Sequence, residues 1–394
     1  MVIFVPDNNT MDYFSSDFTL GILGGGQLGK MMLYDTRKFD IKTVVLDPSD
    51  EAPCTLACNK FYQGDLMDFE TVYEFGKKAD VVTFEIEHVN VAALEKLESE
   101  GVKVHPSAAT LKLIQNKGAQ KDFYRKHQIP TADYHKFETL ENLRHAISDS
   151  RLEMPFIWKN TMFGYDGNGV KVVRSTADLA GLPEGECIAE EMIAFKNELA
   201  VIVARNPSGE TKTYPVVEME FHPEANQVEY VICPARIDDE IAGKARELAL
   251  EVSQKFNHVG LLAVEMFLTR DDEILVNEVA PRPHNSGHYS IEASYTSQFE
   301  QHIRAILDLP LGNTDSKVAG IMVNLVGAEG FSGAVRYENI EKIMAIDGVT
   351  PHIYGKKQTR PFRKMGHVTI VNDDMARARK IAEEVKNTIR VISK

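Results

Sequence analysis

Short apolar runs alternate with amphipathic stretches over the first third of the chain. The runs at 19–23, 42–46 and 81–84 are rich in branched side chains, which is typical of buried strands. Between them, residues 27–34 and 91–98 carry apolar side chains at helical spacing. Strands that are separated by helices predict a parallel, doubly wound α/β sheet.

The middle and the end of the chain show many β-like runs. A glycine-rich loop lies between predicted strands at 156–159 and 170–173, which indicates a small flap. Two strands at 261–268 and 273–278 flank a polar turn. The other elements predicted here are strands at 187–190, 199–205, 213–218 and 228–234, and helices at 238–256 and 375–389. We expect domain boundaries near residues 115 and 185.

The composition is that of an acidic globular protein of two or three domains. The 394 residues include 44 Lys and Arg against 58 Asp and Glu, a net charge of −14. Nucleic acids and anionic membrane surfaces favour a basic face, so we expect neither as a partner. No apolar run approaches the roughly 20 residues of a membrane span. One local basic site remains compatible with this balance.

The four cysteines, at positions 54, 58, 187 and 233, are too few and too scattered for a disulfide framework. We expect reduced, mostly buried thiols without a metal or redox role. The first 18 residues carry Asp and no early Lys or Arg, so they do not resemble a secretory signal. These features favour the cytoplasm.

The first glycine motif connects the first predicted strand to the first predicted helix. Gly24, Gly26 and Gly29 have G-x-G-x-x-G spacing, and Asp47 follows near the end of the next strand. This pattern is compatible with a Rossmann-type dinucleotide site, with another phosphate or polar ligand, or with a purely structural tight turn.

A second glycine-rich segment, FGYDGNG at 163–169, follows Lys159. Such a loop has free N–H groups that can close over a polyphosphate, and a nearby lysine can neutralise the phosphate charge. Its spacing is not that of a P-loop. The alternative is a glycine-rich hairpin that binds nothing.

Two glutamates on the predicted hairpin form the strongest chemical signal. If Asp271 and Asp272 form a two-residue turn, Glu265 and Glu278 face each other directly. Like charges in that position are destabilising, and a hard cation such as Mg²⁺, bound also to substrate phosphates, would relieve the repulsion. Asn277 lies beside this pair. The alternative is two carboxylates that point to solvent.

Two loops add polar and cationic side chains. The segment EVAPRPHNSGH at 278–288 begins on a strand, where loop residues are well placed to meet a ligand. The segment YGKKQTRPFRKMGH at 354–367 has five Lys or Arg and no acidic residue, which favours a phosphate site. Either segment could instead be a solvated loop.

Weaker signals come from isolated charged residues. Glu190, Glu191 and Glu198 lie near strand ends, where they could meet an adenine edge and ribose hydroxyls, although surface charges are the more common interpretation. Lys117 and Lys121 could face phosphate, but surface lysines are the default expectation.

Taken together, these motifs resemble the ATP-grasp superfamily, and within it the N5-carboxyaminoimidazole ribonucleotide synthetase family. The matching segments follow the family order from about residue 19 onwards. They are GGGQLGKM at 24–31, VTFE at 82–85, GYDGNG at 164–169, NEVAPRPHNSGH at 277–288 and the basic segment at 354–367. The segment at 277–288 is highly specific, whereas the glycine motif alone is not.

The resemblance implies a fold of three domains, with a Rossmann-like domain at 1–115, a small lid at 116–187 and an α+β grasp domain at 188–394. It also implies a reaction of purine biosynthesis. ATP phosphorylates bicarbonate to carboxyphosphate, and 5-aminoimidazole ribonucleotide (AIR) captures its carboxyl group or the CO₂ released from it. Mg²⁺, or Mn²⁺ in its place, would assist. The family commonly forms homodimers.

The resemblance also assigns roles to individual residues. The implied metal ligands are Glu265 and Glu278. The implied catalytic residues are Asp166, Arg282 and Lys356. The implied AIR site consists of Gln27, Glu85, Asp166, Arg282, Lys356 and Arg360. The implied ATP site consists of Lys117, Lys159, Gly164, Tyr165, Asp166, Gly167, Asn168, Gly169, Val170, Glu190, Glu191, Met192, Ile193, Glu198, His222, Asn277 and Glu278.

The chain departs from the family pattern at a few positions. Lys117 stands where the family usually has Arg, so a bidentate fork is lost. Phe163 replaces a common Gly before the lid loop, and His88 stands where Asn is frequent. These changes bear on affinity more than on the core chemistry.

Three rival functions follow from the same motifs. The glycine fingerprint favours a nicotinamide oxidoreductase, which leaves the glutamate pair and the basic segment unexplained. Another ATP-grasp ligase, such as the formate-dependent glycinamide ribonucleotide transformylase, would share most of the ATP site. A nucleotide sensor without catalysis would bind ATP without turnover.

Overall fold

The computed structural model describes residues 12–162, 169–223, 225 and 227–394. Its contacts divide the chain into two compact units, Met1–His105 and Pro106–Lys394. Among the described residues, no helix is both long and apolar enough to cross a membrane.

The first unit contains one five-stranded parallel sheet, which confirms the predicted α/β pattern. The strand order is β3-β2-β1-β4-β5, with every neighbouring pair parallel. Its strands are β1 Thr19–Leu23, β2 Lys42–Asp47, β3 Lys60–Gln63, β4 Val81–Phe84 and β5 Lys103–Val104. Its helices are α1 Gln27–Lys38, α2 Phe69–Gly76 and α3 Val91–Ser99. Because parallel strands end at one edge, this sheet brings the turn after β1 beside the end of β4.

The second unit begins with two helices and a small antiparallel sheet of order β6-β9-β7-β8. Trp158 is 2% exposed and packs with Phe156 and Leu143 in the core of this sheet. The helices are α4 Ala108–Gln115, α5 Lys117–Lys126 and α6 Leu140–Ser148. The strands are β6 Tyr134–Phe137, β7 Phe156–Asn160, β8 Val170–Val173 and β9 Cys187–Glu191.

A nine-stranded antiparallel sheet forms the body of the second unit. Its order is β15-β14-β10-β12-β13-β16-β20-β18, with β11 paired to β10. The first four strands of this sheet along the chain are β10 Phe195–Arg205, β11 Thr211–Thr213, β12 Val217–Phe221 and β13 Val228–Cys233. They are followed by α7 Asp239–Phe256, β14 Gly260–Thr269, β15 Ile274–Ala280, α8 Ser290–Ala293 and α9 Gln298–Ile306.

The last part of the chain completes this sheet and adds a three-stranded sheet of order β19-β17-β21. These elements are β16 Ala319–Val326, β17 Gly333–Glu338, α10 Ile340–Met344, β18 Val349–Ile353, β19 Gln358–Thr359, β20 Lys364–Asn372, α11 Met375–Thr388 and β21 Arg390–Ser393.

Two amphipathic helices cover the large sheet. The apolar side of α7 packs on β10 and β14, where Ala245 and Val252 join Val201 and Val264 in one buried cluster. Helix α11 packs in the same way on β16 and β20. This burial is the main stabilisation of the sheet, since each fully buried aliphatic side chain contributes about 1.5–3 kcal/mol.

One predicted strand is wrong in its extent. The run at 213–218 is divided between β11, which ends at Thr213, and β12, which begins at Val217. Pro215 lies in the gap. It has no N–H to donate, so a continuous ladder cannot pass through this position.

Candidate active site

In the first unit, a buried carboxylate occupies the turn of the glycine motif. Glu85 follows β4 and is 7% exposed. Its Oε1 accepts the N–H of Gly26 at 2.8 Å, and its Oε2 accepts those of Leu28 at 3.0 Å and Gly29 at 3.1 Å. These donors are the N–H groups at the start of α1, which lack partners within the helix.

This contact decides between the interpretations of the glycine motif. In a dinucleotide site, the same N–H groups would bind a pyrophosphate. Here Glu85 already supplies the anion, and a Cβ on Gly26 would lie 2.6 Å from its Oε1. Asp47 accepts the N–H of Gly25 at 2.7 Å. The geometry favours the structural turn over a nicotinamide site.

In the second unit, Glu265 and Glu278 pair directly across β14 and β15, as the sequence predicted. The two-residue turn at Asp271 and Asp272, on which that prediction was based, is wrong. Thr269 N donates to Glu273 O, which leaves a three-residue loop in which Asp272 has φ +62°. Nearer the loop, Met266 pairs with Val276.

A β-bulge reconciles the longer loop with the facing glutamates. Glu265 pairs with Glu278 and Met266 with Val276, so Asn277 is an extra residue in β15. Bulges redirect side chains and are common beside functional sites. Here the bulge restores the register that places the two carboxylates opposite each other.

The two facing carboxyl groups are strongly biased in opposite directions. Burial, followed by the charge of Glu278, raises the pKa of Glu265. The Lys117 ammonium, 2.5 Å from Glu278 Oε2, holds the pKa of Glu278 well below its usual range. The side chain of Glu278 is 42% exposed and that of Glu265 15%. An added cation would allow both groups to ionise.

A second ion-pair cluster adjoins this pair. Lys159 Nζ lies 2.8 Å from Glu190 Oε2 and donates to Asn277 Oδ1 at 3.2 Å. Lys121 Nζ lies 3.4 Å from the other oxygen of Glu190. Burial opposes the charge of Glu190, but Lys159 and Lys121 outweigh it and lower its pKa. The cluster therefore links strands β7, β9 and β15 with helix α5.

Helix α5 supplies two of these lysines from one face. Asn116 caps the helix by accepting the N–H of Ala119, and Lys117 and Lys121 follow one turn apart. Lys121 is 2% exposed, and burial lowers its pKa to about 8. The default expectation of surface lysines is wrong here. Their four-residue spacing places both lysines on one face of the helix, but the sequence does not show that this face is buried.

The predicted nucleotide residues lie along β8 to β10. Glu190 and Glu191 end β9, Met192 and Ile193 connect it to β10, and Glu198 lies within β10. Burial, followed by the charge of Glu278, raises the pKa of Glu198 to about 7. Met192 is 42% exposed, so its side chain is available to a flat ligand. Gly169 and Val170 precede and begin β8. Gly164, Tyr165, Asp166, Gly167 and Asn168 lie outside the described residues.

The loop after β15 contacts the glutamate pair. His284 Nε2 lies 3.3 Å from Glu265 Oε1, and its Nδ1 lies 2.9 Å from Ser286 Oγ. Arg282 Nη1 donates to the carbonyl of Pro283. Sequence reasoning assigned no role to His284, although it lies within the highly specific segment.

The basic segment, residues 354–367, directly follows β18, includes the short strand β19 and ends within the first residues of β20. Lys356 Nζ donates to Lys364 O at 2.9 Å and lies 5.7 Å from the centre of the Tyr354 ring. Arg360 is exposed. His222 lies against this segment, with its ring centre 5.9 Å from that of Phe362. Its predicted contact with ATP stays a prediction.

The structure thus brings together Lys117, Lys159, Glu190, Asn277 and Glu278, with Glu265 opposite Glu278. Gln27 and Glu85 belong to the first unit, where Gln27 is the first residue of α1. All predicted roles of these residues in binding or catalysis stay predictions.

Three family models match the chain in succession. The ribonucleotide synthetase preATP-grasp domain matches residues 18–115, and the ATP-grasp domain matches residues 122–299. The C-terminal domain of phosphoribosylaminoimidazole carboxylase matches residues 320–381.

Curated relatives match over nearly the whole chain. The N5-carboxyaminoimidazole ribonucleotide synthase of Bacillus subtilis is 40% identical over 89% of this chain and 91% of its own length. The chloroplastic phosphoribosylaminoimidazole carboxylase of Vigna aconitifolia is 40% identical over 91% of this chain and 65% of its own length.

Two solved structures are also similar to this chain over nearly its whole length. The N5-carboxyaminoimidazole ribonucleotide synthetase of Thermotoga maritima superposes with a TM-score of 0.87 at 43% identity, covering 96% of this chain and 100% of that one. The Aspergillus clavatus synthase, solved with ADP and 5-aminoimidazole ribonucleotide, gives 0.86 at 35% identity, covering 94% and 98%.

The role of Glu85 as the acceptor for the start of α1 is testable by stability. Glu85→Gln removes the charge and leaves one carbonyl oxygen for three N–H groups, so unfolding free energy should fall by about 1.5–3 kcal/mol. Thermal unfolding measures this change. Glu70→Gln, at an exposed site at the start of α2, is the control. Equal melting temperatures for Glu85→Gln and wild type would contradict the assignment.

Proposed function

The chain belongs to the N5-carboxyaminoimidazole ribonucleotide synthetase family of ATP-grasp proteins, and on that basis we propose that it carboxylates AIR at the expense of ATP. The reaction consumes bicarbonate and yields N5-carboxyaminoimidazole ribonucleotide, ADP and phosphate, as a step of purine biosynthesis. The observation that carries this proposal is the cluster of Lys117, Lys159 and Glu190 beside the facing glutamates. The names of the relatives support the choice of substrate.

The lysines suit a triphosphate. Lys117 is the first residue of α5, and Lys159 lies within β7. Their ammonium groups are therefore pre-positioned, that of Lys117 at Glu278 and that of Lys159 at Asn277. Pre-positioned cations stabilise the charge that develops during phosphoryl transfer without reorganisation. Residues 164–170 would close over the phosphates and exclude water.

The nucleoside would bind along β9 and β10. The backbone of residues 190–193 offers edge groups for adenine, with Met192 available to pack on its face. Glu198 suits the ribose, because an ionised carboxylate accepts hydroxyl hydrogens. Its pKa of about 7 places that ionisation near neutral pH.

Glu265 and Glu278 fit a divalent cation. Two facing carboxylates form an oxygen-donor pair that Mg²⁺ can complete with substrate phosphates and water. Burial and the charge of Glu278 raise the pKa of Glu265, and a bound cation would oppose that shift. Mn²⁺ accepts the same donors. When bound, the cation would neutralise phosphate charge and polarise the transferred phosphoryl group.

The carboxylation itself needs an activated carboxyl group and a positioned amine. A bicarbonate oxygen attacks the γ-phosphorus of ATP, and ADP leaves with the bridging oxygen. The exocyclic amine of AIR then attacks the carboxyl carbon of carboxyphosphate and expels phosphate. Alternatively, carboxyphosphate first breaks down to CO₂ and phosphate, and the amine attacks the carbon of CO₂. We assign the amine proton to Asp166, the carboxyl charge to Arg282, and the ribonucleotide phosphate to Lys356 and Arg360, with Gln27 and Glu85 lining the AIR site.

The remaining expectations extend the same proposal. We further propose three domains, at 1–115, 116–187 and 188–394. We also propose a homodimeric assembly and a cytoplasmic location. All four cysteines are free thiols in the structure, which supports a reducing compartment.

Phosphate release tests the proposed function directly. Release should require ATP, bicarbonate and AIR together, and should fall to background when AIR is omitted. Glycinamide ribonucleotide with formate, offered instead, should release none. Turnover with glycinamide ribonucleotide would identify a different ligase, and ATP binding without any turnover would identify a sensor.

The metal assignment predicts the behaviour of Glu278→Gln. The amide cannot balance a divalent cation, so turnover should fall about 10²-fold or more. Glu273→Gln, at the exposed tip of the same hairpin, is the matched control and should keep wild-type turnover. Retained activity in Glu278→Gln with an intact fold would remove Glu278 from the site.

The phosphate assignment predicts a selective effect of Arg360→Ala. Loss of one charge-assisted hydrogen bond should raise the KM for AIR about tenfold or more. The KM for ATP should stay within twofold of wild type. Arg377→Ala, which alters an exposed arginine of α11, controls for the change in net charge. Equal increases in both KM values would indicate a role in ATP binding or in the fold.

A further inference from the structure

Three histidine rings stack in the interior of the second unit. The rings of His352 and His367 lie 4.4 Å apart at an interplanar angle of 13°, and those of His367 and His288 lie 4.7 Å apart at 31°. His288 and His367 are 1% and 0% exposed. The proposed reaction uses none of these rings.

The stack joins the two loops that were assigned to AIR. His352 lies on β18 just before the basic segment, and His367, the last residue of that segment, lies directly opposite it on β20. His288 ends the loop that carries Arg282. One row of three contacting rings therefore connects the start and end of the basic segment with the loop after β15.

Hydrogen bonds hold each ring in place. Gln298 Nε2 lies 2.9 Å from His288 Nδ1, and Glu292 Oε1 lies 2.8 Å from His352 Nε2. The Tyr354 hydroxyl lies 3.2 Å from His367 Nδ1. The first and last of these partners come from α9 and from the basic segment itself, so the stack is braced by the elements around it.

A second contact keeps the same register. Asn285 and Asn324 exchange two side-chain hydrogen bonds of 3.0 and 2.9 Å. Asn324 is the cross-strand neighbour of His367 on β16. The loop after β15 is thus fastened to one row of the sheet at two points, through an amide pair and through the stacked rings.

Electrostatics favour the uncharged forms of His288 and His367. Burial, followed by the charges of His284 and His352, lowers the pKa of His288 well below its usual range, and burial does the same for His367. Lys364 and Arg282 add to the positive surroundings of His288. Within the described part of the chain, no group of three His, Cys, Asp or Glu side chains is arranged to hold a metal ion. The contacts that these rings make are packing against one another and hydrogen bonds to their neighbours.

We propose that His288, His352 and His367 are positioning residues that clamp the Arg282 loop to the basic segment. The segments that carry Arg282 and the two phosphate-binding cations of the AIR site would then move as one body. The role in AIR binding rests on the proposed function, whereas the clamp itself does not. Preorganised binding groups avoid the entropic cost of ordering on binding, so a loose clamp should weaken AIR binding selectively.

Hydrogen exchange tests the clamp without any substrate. His367→Ala removes the central ring, so amide exchange should accelerate in both 282–288 and 354–367, while exchange in α7 stays at the wild-type rate. His145→Ala, at an exposed histidine of α6, is the control. Acceleration in only one segment, or in neither, would overturn the clamp. If His367→Ala does not fold, His352→Ala serves, since this ring lies at the outer end of the stack.

Steady-state kinetics then test the purpose of the clamp. His367→Ala should raise the KM for AIR about five- to tenfold, with the KM for ATP within twofold of wild type. His367→Phe keeps a ring in the stack and should restore most of the AIR affinity. Equal loss for both substrates, or no rescue by Phe, would overturn the positioning role. If wild type shows no AIR-dependent turnover, the proposed function fails, but the exchange result still decides the clamp.

Discussion

Two carboxylates that face each other across a hairpin impose the main constraint on the second unit. Glu265 and Glu278 repel, and the surroundings answer that repulsion with Lys117 on one oxygen of Glu278 and His284 near Glu265. Removing one partner of such a group is costly, because the remaining charge is left desolvated. The surrounding side chains therefore balance the negative charge of the pair only in part, and this partial balance is the physical basis of the proposed cation site.

The lysines show how the fold delivers charge to this point. Lys117 and Lys121 come from one face of α5, and Lys159 comes from the neighbouring small sheet, yet all three converge on carboxylates of β9 and β15. Thr131 ties the same region together, since its hydroxyl accepts from Lys121 and donates to the carbonyl of Val276, beside the bulge. A change in the position of α5 would therefore alter β9 and β15 at once.

Local pattern was sufficient for most strands and for the long helices, because burial on one or both faces leaves a clear period in the sequence. It was insufficient where one residue changes the pairing. The facing of Glu265 and Glu278 was predicted from a two-residue turn, whereas the loop has three residues and the bulge at Asn277 compensates. The extra residue in the loop and the extra residue in the bulge each shift the pairing register by one position, and the two shifts cancel at Glu265 and Glu278. The burial of Lys121 could not be predicted either, since a lysine shows its buried partner only in three dimensions.

The glycine motif illustrates why a motif needs its structural context. Its spacing is that of a dinucleotide site, but such a site requires free N–H groups at the helix start, and Glu85 takes those of Gly26, Leu28 and Gly29. An internal carboxylate in that place repels a second anion and excludes it sterically. In the proposed function, phosphate recognition belongs to the cationic groups of the second unit, where the lysines, the opposed glutamates and the basic segment lie. The start of α1, with Gln27 at its first position, is instead fixed by Glu85 within the first unit.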